Sequence, residues 1–270
     1  MTTISGNIDP MVCSNGPNGG STLIALPTES GVTKAELPPS ISHLDGIIKP
    51  DEIGIFDAHD CPKVDILTLS AARGIAEGRN LLGRRTQEGA RVAFLSTMER
   101  AACTASLSRL AESYGGDPGE NLTVLTPTMF DGLQVLSDEE GVLPLECMMG
   151  EHDVLIADVD ALLSAGHQRL MEMLNRMKQG KKAMILIDRG TQIDWRDHDA
   201  IDFIVAVSSI NAHFDEGLGF AVEWKFNRHF RRRCRVRFNI GYRKNGAGLW
   251  RWSLISVEKT GEQIFGWLKA

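Results

Sequence analysis

One lysine stands at the junction of a short apolar strand and an amphipathic helix, in the stretch 53–76, IGIFDAHDCPKVDILTLSAARGIA. A lysine in that place binds phosphate when the loop before it follows the spacing G-x-x-x-x-G-K-[ST]. On that spacing Asp57 takes the first glycine position, Pro62 the second and Val64 the Ser/Thr position, so only Lys63 is retained. The stretch therefore predicts a phosphate loop that has lost most of its phosphate chemistry.

The departures remove contacts that a magnesium nucleotide needs. Glycines let backbone N–H groups wrap the phosphates, whereas Pro62 lacks an N–H and fixes its own φ. Val64 has no hydroxyl to offer a metal ion. Asp57 and Asp60 place negative charge where the phosphates would lie, and like charges repel. We therefore expect no cofactor, no tight binding of ATP with Mg²⁺, and loss of ATPase activity.

The composition is ordinary for a soluble globular protein, with 43% hydrophobic and 24% charged residues in 270. No apolar run approaches the roughly 20 residues of a membrane-spanning helix. The first residues, MTTISGNIDP, lack the pattern of a secretory signal. The five cysteines form no C-x-x-C pair and the histidines no H-E-x-x-H motif, which favours free thiols over a zinc site. We expect a cytoplasmic protein with no resident metal and no membrane partner.

Positive charge is concentrated near the end of a chain whose net charge is −6. Between Glu223 and Glu258 there is no carboxylate, and that window holds ten lysines and arginines. A basic patch on an acidic body indicates an anionic partner. Nucleic acid, a nucleotide and the acidic face of a neighbouring subunit all remain open.

Composition and hydrophobic pattern predict that the chain divides into an arm and an α/β domain. Residues 1–45 are rich in Gly, Ser, Thr, Asn and Pro, which predicts a flexible arm. From residue 46 to 270, apolar strands alternate with helices, which predicts a mostly parallel sheet covered by helices on both faces. The predicted strands are Ile53–Phe56, Arg91–Ser96, Asn121–Leu125, His152–Asp158, Lys182–Ile187 and Phe203–Val207, and the predicted helices Val64–Glu77, Ala101–Tyr114 and Gly166–Gln179.

The part from about 210 to 270 is richer in strands and carries the basic patch. Strands are predicted at Phe220–Phe226, Cys234–Ile240 and Trp250–Val257, with a turn over 241–248. Period-two alternation places four arginines on one face of the middle strand, and Cys234, Val236 and Phe238 on the other. Same-face residues lie about 6.6–6.8 Å apart, which is suited to tracking a nucleic-acid backbone. The four arginines are Arg231, Arg233, Arg235 and Arg237.

Several segments together resemble the RecA-like ATPases, and within them the plasmid RepA-type hexameric helicases and related AAA-family proteins. The segments are LSAARGIAEGRNLLGR, ARVAFLST, ASLSRLAESYG, DVLIAD, AMILID and WKFNRHF, and they span about residues 46 to 256. The resemblance implies a RecA-like fold with a degenerate phosphate loop. It also implies a homo-oligomer in DNA metabolism, as in plasmid replication.

The resemblance assigns roles to a few residues. Asp158, which ends DVLIAD, matches the acid that orders magnesium in this family, beside the loop residue Lys63. The family's catalytic acid lies in a phrase like S-x-E-D, and the nearest acid here, Glu99, is displaced by one place. Lys225 and Arg228 match the residues that reach the phosphate of a neighbouring subunit.

Three functions remain open on these observations. The first is a non-hydrolysing RecA-fold protein that binds nucleic acid or a protein partner as an oligomer, with Trp224, Trp250 and Trp252 as stacking surfaces or as core. The second is an active ATP-dependent helicase or DNA motor. The third is a regulatory or assembly protein that uses the fold only as an interaction surface.

Overall fold

The computed structural model describes residues 48–79, 89–116, 119–126, 149–163, 166–210, 217–227, 235–246, 248 and 250–260. The arm predicted over 1–45 lies outside these ranges, as does most of the mixed segment 130–150, for which we predicted a short helix or hairpin. The described residues all lie in the domain predicted over 46–270.

The described strands form one sheet. They are β1 (Ile53–Asp57), β2 (Val92–Leu95), β3 (Leu122–Leu125), β4 (Val154–Asp158), β5 (Ala183–Asp188), β6 (Phe203–Ile210), β7 (Gly217–Asn227), β8 (Arg235–Lys244) and β9 (Trp250–Thr260). Their spatial order is β3-β2-β4-β5-β1-β6-β7-β8-β9. Strands β1 to β6 pair in parallel and β6 to β9 antiparallel. The mostly parallel α/β sheet with an antiparallel C-terminal extension, predicted from the sequence, is confirmed.

Four described helices connect the parallel strands: α1 (Val64–Glu77), α2 (Arg100–Tyr114), α3 (Val159–Leu163) and α4 (His167–Gln179). Helix α1 ends at Gly78 and α2 at Gly115, and both glycines have the left-handed φ that residues with a side chain rarely adopt. Helix α3 was not predicted, because five residues are too few to establish a helical period. None of these helices has the length and apolar character needed to cross a membrane.

The helices bury the two faces of the sheet unequally. Helices α1 and α2 cover one face, where Phe94, Ile156 and Ile185 are wholly buried. Helices α3 and α4 cover the other face over the central strands, where Leu155 and Leu186 are wholly buried. On that second face β6, β7 and β8 contribute residues to an open cleft instead. The cleft adjoins the carboxyl ends of β1 and β5, the edge where α/β sheets bind ligands.

One predicted connection is wrong. The turn expected over 241–248 begins only after Lys244, because β8 continues through Gly241 and pairs with β9 as far as Trp250. The physical reason is Tyr242, whose ring is wholly buried and stacks at 5.0 Å on the ring of Trp250. Burial of the Tyr242 ring and its stacking on the partly buried Trp250 ring outweigh the preference of Gly and Asn for a turn.

Candidate functional site

Three N–H groups in the loop between β1 and α1 are bonded to backbone carbonyls. Ala58 donates its N–H to the carbonyl of Asp188 at 2.8 Å, Cys61 to Ala58 at 2.9 Å, and Val64 to Cys61 at 3.1 Å. A phosphate cradle needs such N–H groups to point at the ligand. Here three of them are bonded to carbonyl oxygens, and Pro62 has none to offer.

The retained lysine is held by no polar contact to the described part of the chain. Lys63 is exposed, and its ammonium has no hydrogen bond or ion pair to any residue that the structure describes. The next residue, Val64, is wholly buried in the core beneath the loop. The position that carries a metal-binding hydroxyl in a working loop is therefore part of the hydrophobic core.

An ion-pair triad centred on a buried carboxylate lies beside the loop. Arg189, which follows β5 directly, donates from Nε to Oδ1 of Asp158 at 2.8 Å and from Nη2 to Oδ1 of Asp65 in the first turn of α1. Asp158 is wholly buried, and its other oxygen accepts hydrogen bonds from the N–H and the hydroxyl of Thr97 at 2.7 and 2.9 Å. Both oxygens of Asp158 therefore already have partners within the protein. We call Asp65, Asp158 and Arg189 the Arg189 triad.

The triad shifts the pKa values of Asp65 and Arg189. Burial raises the pKa of Asp65, and the charge of Arg189 opposes that rise only in part. Burial by itself lowers the pKa of Arg189, but the hydrogen bonds and charges of Asp158 and Asp65 outweigh it and raise that pKa. Arg189 is therefore a fixed positive charge.

These contacts test the fit of the magnesium nucleotide that the family resemblance implies. A magnesium ion binds carboxylate or hydroxyl oxygens, and both oxygens of Asp158 are already hydrogen-bonded, while three N–H groups of the loop are bonded to carbonyl oxygens. The residues present therefore do not fit Mg²⁺ with a nucleotide.

The acid considered as catalytic makes none of these contacts. Glu99 is exposed and stands before the first residue of α2, where it makes no side-chain cap. The residue that approaches Asp158 from this segment is Thr97. The role of Glu99 remains a prediction.

A second carboxylate at the same edge organises the loop after β5. Asp188 accepts hydrogen bonds from the N–H groups of Gly190 and Thr191 at 2.9 and 2.7 Å, and from the indole of Trp195 at 2.6 Å. The ring of His59 packs against Gly190, whose φ is +123°. Asp188 thereby fixes residues 190–195 as one wall of the open cleft.

The cleft has a volume of about 810 Å³. Its floor is made of small residues of the sheet, Ala206 and Ser208 of β6 and Ala221 of β7. Charged side chains of both signs surround that floor: Asp57, Asp60, Asp188, Asp194, Glu223, Arg196, Lys225 and Arg237. A cleft of this size can hold a segment of a macromolecular partner or a small ligand.

The structure describes only part of the predicted basic surface. Lys225 lines the cleft and forms an ion pair with Glu223 at 3.0 Å. Arg237 lines the cleft too, on the face of β8 opposite Phe238, as the alternation predicted. Arg228, Arg231 and Arg233 lie outside the described residues, and of Arg235 only the backbone, in β8, is described.

The three tryptophans considered as stacking surfaces pack against the core. Trp224 contacts Phe203 with ring centroids 5.3 Å apart, and Trp252 donates its indole N–H to Ser70 of α1 at 2.8 Å. Trp250 lies between Tyr242 and the guanidinium of Arg109 in α2. These rings therefore stabilise the sheet against α1 and α2.

Sequence reasoning missed the Arg189 triad and the role of Asp188. Asp158 and Asp188 end neighbouring parallel strands. The position of both acids at the ends of predicted strands was the signal that could have placed them at one edge of the sheet. No group of three or more His, Cys, Asp and Glu side chains with metal-binding geometry occurs among the described residues.

No protein-family model matches the chain, and no curated protein does. Among solved structures, a KaiC-like protein from the hyperthermophilic archaeon Pyrococcus horikoshii OT3 is similar, with a TM-score of 0.47 and 10% sequence identity. The similarity covers 83% of this chain and 98% of that chain. A likeness of this size bears on neither activity nor partner.

Proposed function

We propose that this chain is a RecA-like protein that does not hydrolyse nucleotide and instead binds a macromolecular partner, as an oligomer. The observation that carries the proposal is the Arg189 triad. Asp158, the acid that would order magnesium, is wholly buried and bonded to Arg189 and Thr97. A magnesium nucleotide would have to displace the guanidinium of Arg189, which donates one hydrogen bond to each of two carboxylates. Charge-assisted bonds of this kind are among the strongest in proteins.

The closed loop supports the same proposal independently. The N–H groups of Ala58, Cys61 and Val64 are bonded to carbonyl oxygens. Nucleotide binding would break these bonds and leave buried polar groups without partners, at about 1–3 kcal/mol each. A degenerate phosphate loop, in which this chain departs from the RepA-type helicases that its sequence resembles, accounts for both observations.

We infer that the partner is nucleic acid and that it binds along the arginine row of β8, which borders the open cleft at Arg237. Arg237 lines the cleft and belongs to the row of arginines that alternates along the sequence 231–237. Lysine and arginine side chains spaced along a strand neutralise successive phosphates. A protein partner with an acidic segment is the competing outcome, because Lys225 and Arg196 would pair with carboxylates equally well.

One set of titrations tests the proposal. Purified protein is titrated with a fluorescent ATP analogue in Mg²⁺, then with labelled single-stranded and duplex DNA at two salt concentrations, and its mass is measured by light scattering. We expect no binding of the analogue, salt-dependent binding of DNA and a mass above that of one chain. Tight binding of the analogue with turnover that Lys63→Ala abolishes would establish the motor function instead. Absence of DNA binding at low salt would favour the regulatory or assembly function.

A further inference from the structure

Two carboxylates from distant parts of the chain converge on one point at the carboxyl edge of the sheet. Asp65 comes from the first turn of α1 and Asp158 from the end of β4. The side chain of Asp158 is wholly buried and that of Asp65 is 13% exposed. Two carboxylates that lie close together repel one another unless one takes up a proton or a cation lies between them. A positive charge at this point therefore lets both stay ionised.

Arg189 supplies that charge with a geometry that a lysine could not reproduce. Its Nε donates to Asp158 and its Nη2 to Asp65, so one planar group bonds both acids. A lysine presents a single ammonium on a flexible stem and lacks this rigid fork. The Arg189 side chain is itself 23% exposed, so its position is set by these bonds rather than by deep burial.

We propose that Arg189 is a built-in replacement for a divalent cation. Its guanidinium holds together the start of α1, the end of β4 and, through Asp158, Thr97 after β2. In this chain the edge of the sheet is held by a side chain that cannot dissociate, whereas a bound ion would come and go. This inference rests on the same triad as the proposed loss of nucleotide hydrolysis and not on the partner, so a failure of the Mn²⁺ measurements and a failure to bind DNA are distinguishable.

The proposal predicts what remains when the guanidinium is removed. In Arg189→Ala the two carboxylates and the hydroxyl of Thr97 form a cluster of oxygen donors. Hard divalent cations such as Mg²⁺ and Mn²⁺ prefer oxygen donors, with water completing their coordination. The variant should therefore gain a cation site that the wild type does not have.

Mn²⁺ is the probe, because its free concentration is read directly by electron paramagnetic resonance. We expect Arg189→Ala to bind about one Mn²⁺ per chain, and its thermal midpoint to fall in EDTA and to recover in excess Mn²⁺, since a ligand that binds only the folded state stabilises it. Wild type should bind no Mn²⁺, and its midpoint should not change between EDTA and Mn²⁺. A folded Arg189→Ala that binds no Mn²⁺ and has the same midpoint in both buffers would overturn the proposal.

Two controls assign the effect to the triad. The double variant Arg189→Ala with Asp158→Asn should lose the Mn²⁺ response, because one carboxylate is gone. Arg91→Ala removes an arginine from an exposed pair with Asp153 and should gain no Mn²⁺ site. An equal Mn²⁺ response in Arg91→Ala would mean that the response is unspecific, and would also overturn the proposal.

Two further measurements test the proposal if Arg189→Ala does not fold in EDTA, one on that variant and one on wild type. Refolding of that variant in Mn²⁺, followed by circular dichroism, should then recover the native spectrum, and failure to recover it counts against the proposal. In wild type, Mn²⁺ should leave the amide resonances of Asp65, Thr97 and Asp158 sharp. Selective paramagnetic broadening of these three would show that a cation displaces Arg189 and would overturn the proposal directly.

Discussion

Trp195 donates its indole N–H to Oδ2 of Asp188 over 2.6 Å, and this bond joins the wall of the cleft to the end of the central strand β5. The other oxygen of Asp188 accepts the N–H groups of Gly190 and Thr191. One carboxylate thus satisfies three donors and shapes the loop that borders the cleft. The same edge holds Asp158, so two neighbouring strands end in acids with different partners.

Asp188→Ala should destabilise the protein strongly. It leaves the buried indole N–H of Trp195 and two part-buried backbone N–H groups without a partner, and an unsatisfied buried donor costs about 1–3 kcal/mol. We expect a loss of about 1–3 kcal/mol in the free energy of unfolding, measured by urea denaturation. Asp194→Ala is the matched control, because Asp194 is exposed and accepts one N–H, that of Arg196. Equal losses in the two variants would contradict the role given to Asp188.

Gly54→Ala tests the packing of β1 against β6. A Cβ at Gly54 would lie 1.9 Å from Cζ of Phe203, whose ring crosses the bare backbone of β1. Overpacking of this kind costs about 1–3 kcal/mol or more, and we expect a lower urea midpoint. Gly119→Ala, where a Cβ would meet nothing within 4 Å, should change stability by no more than about 0.5 kcal/mol. A Gly54→Ala protein as stable as wild type would contradict this packing.

Asp65→Asn tests the electrostatics of the Arg189 triad through pH. Burial raises the pKa of Asp65 above its ordinary value of 3.8, so the folded state keeps this proton to higher pH than the unfolded state. As pH rises from 3.8 to the folded pKa, the contribution of Asp65 to stability therefore falls. Paired urea titrations between pH 3 and 6 should show wild type losing stability relative to Asp65→Asn as pH rises. A relative gain would mean that Arg189 lowers this pKa instead.

Cys61 and Cys103 should react slowly with thiol reagents in the folded protein. Both are buried, and burial raises the pKa of each thiol, which lowers the fraction of reactive thiolate. Labelling with iodoacetamide at pH 8, followed by peptide mass mapping, should show protection of both sites in buffer. The same measurement in urea is the control and should show full labelling. Rapid labelling of Cys61 in buffer would show that the loop at residues 58–63 opens readily.

The arginine row can be tested by its salt dependence. Changing Arg233, Arg235 and Arg237 to Gln should weaken binding of single-stranded DNA and reduce the slope of log K against log salt by about 0.7 for each lost phosphate contact. Arg91→Gln, an exposed arginine at the start of β2, is the control and should leave the slope unchanged. If the triple variant binds as wild type does, the arginine row is a subunit contact or a solvated face.

The sequence by itself determined the α/β order of the domain. Continuous apolar runs such as VAFL and VLIA are typical of strands buried on both faces of a parallel sheet, and both lie in wholly buried strands. The helical period of residues 64–77 predicted α1 with the bounds that the structure gives. The unsuitable chemistry of Pro62 and Val64 was also readable, because a missing N–H or hydroxyl is a property of the residue itself.

Only the tertiary structure decided what occupies the edge of the sheet. Arg189 lies 31 residues from Asp158 and 124 from Asp65, and no local period encodes pairs at such separations. The packing of the tryptophans was likewise not readable from local sequence, because it depends on helices distant in the chain. Trp252, for example, donates its indole N–H to Ser70 of α1. Side-chain type set which charges the chain carries. Strand order set which of them meet, because it places the ends of β4 and β5 beside the start of α1.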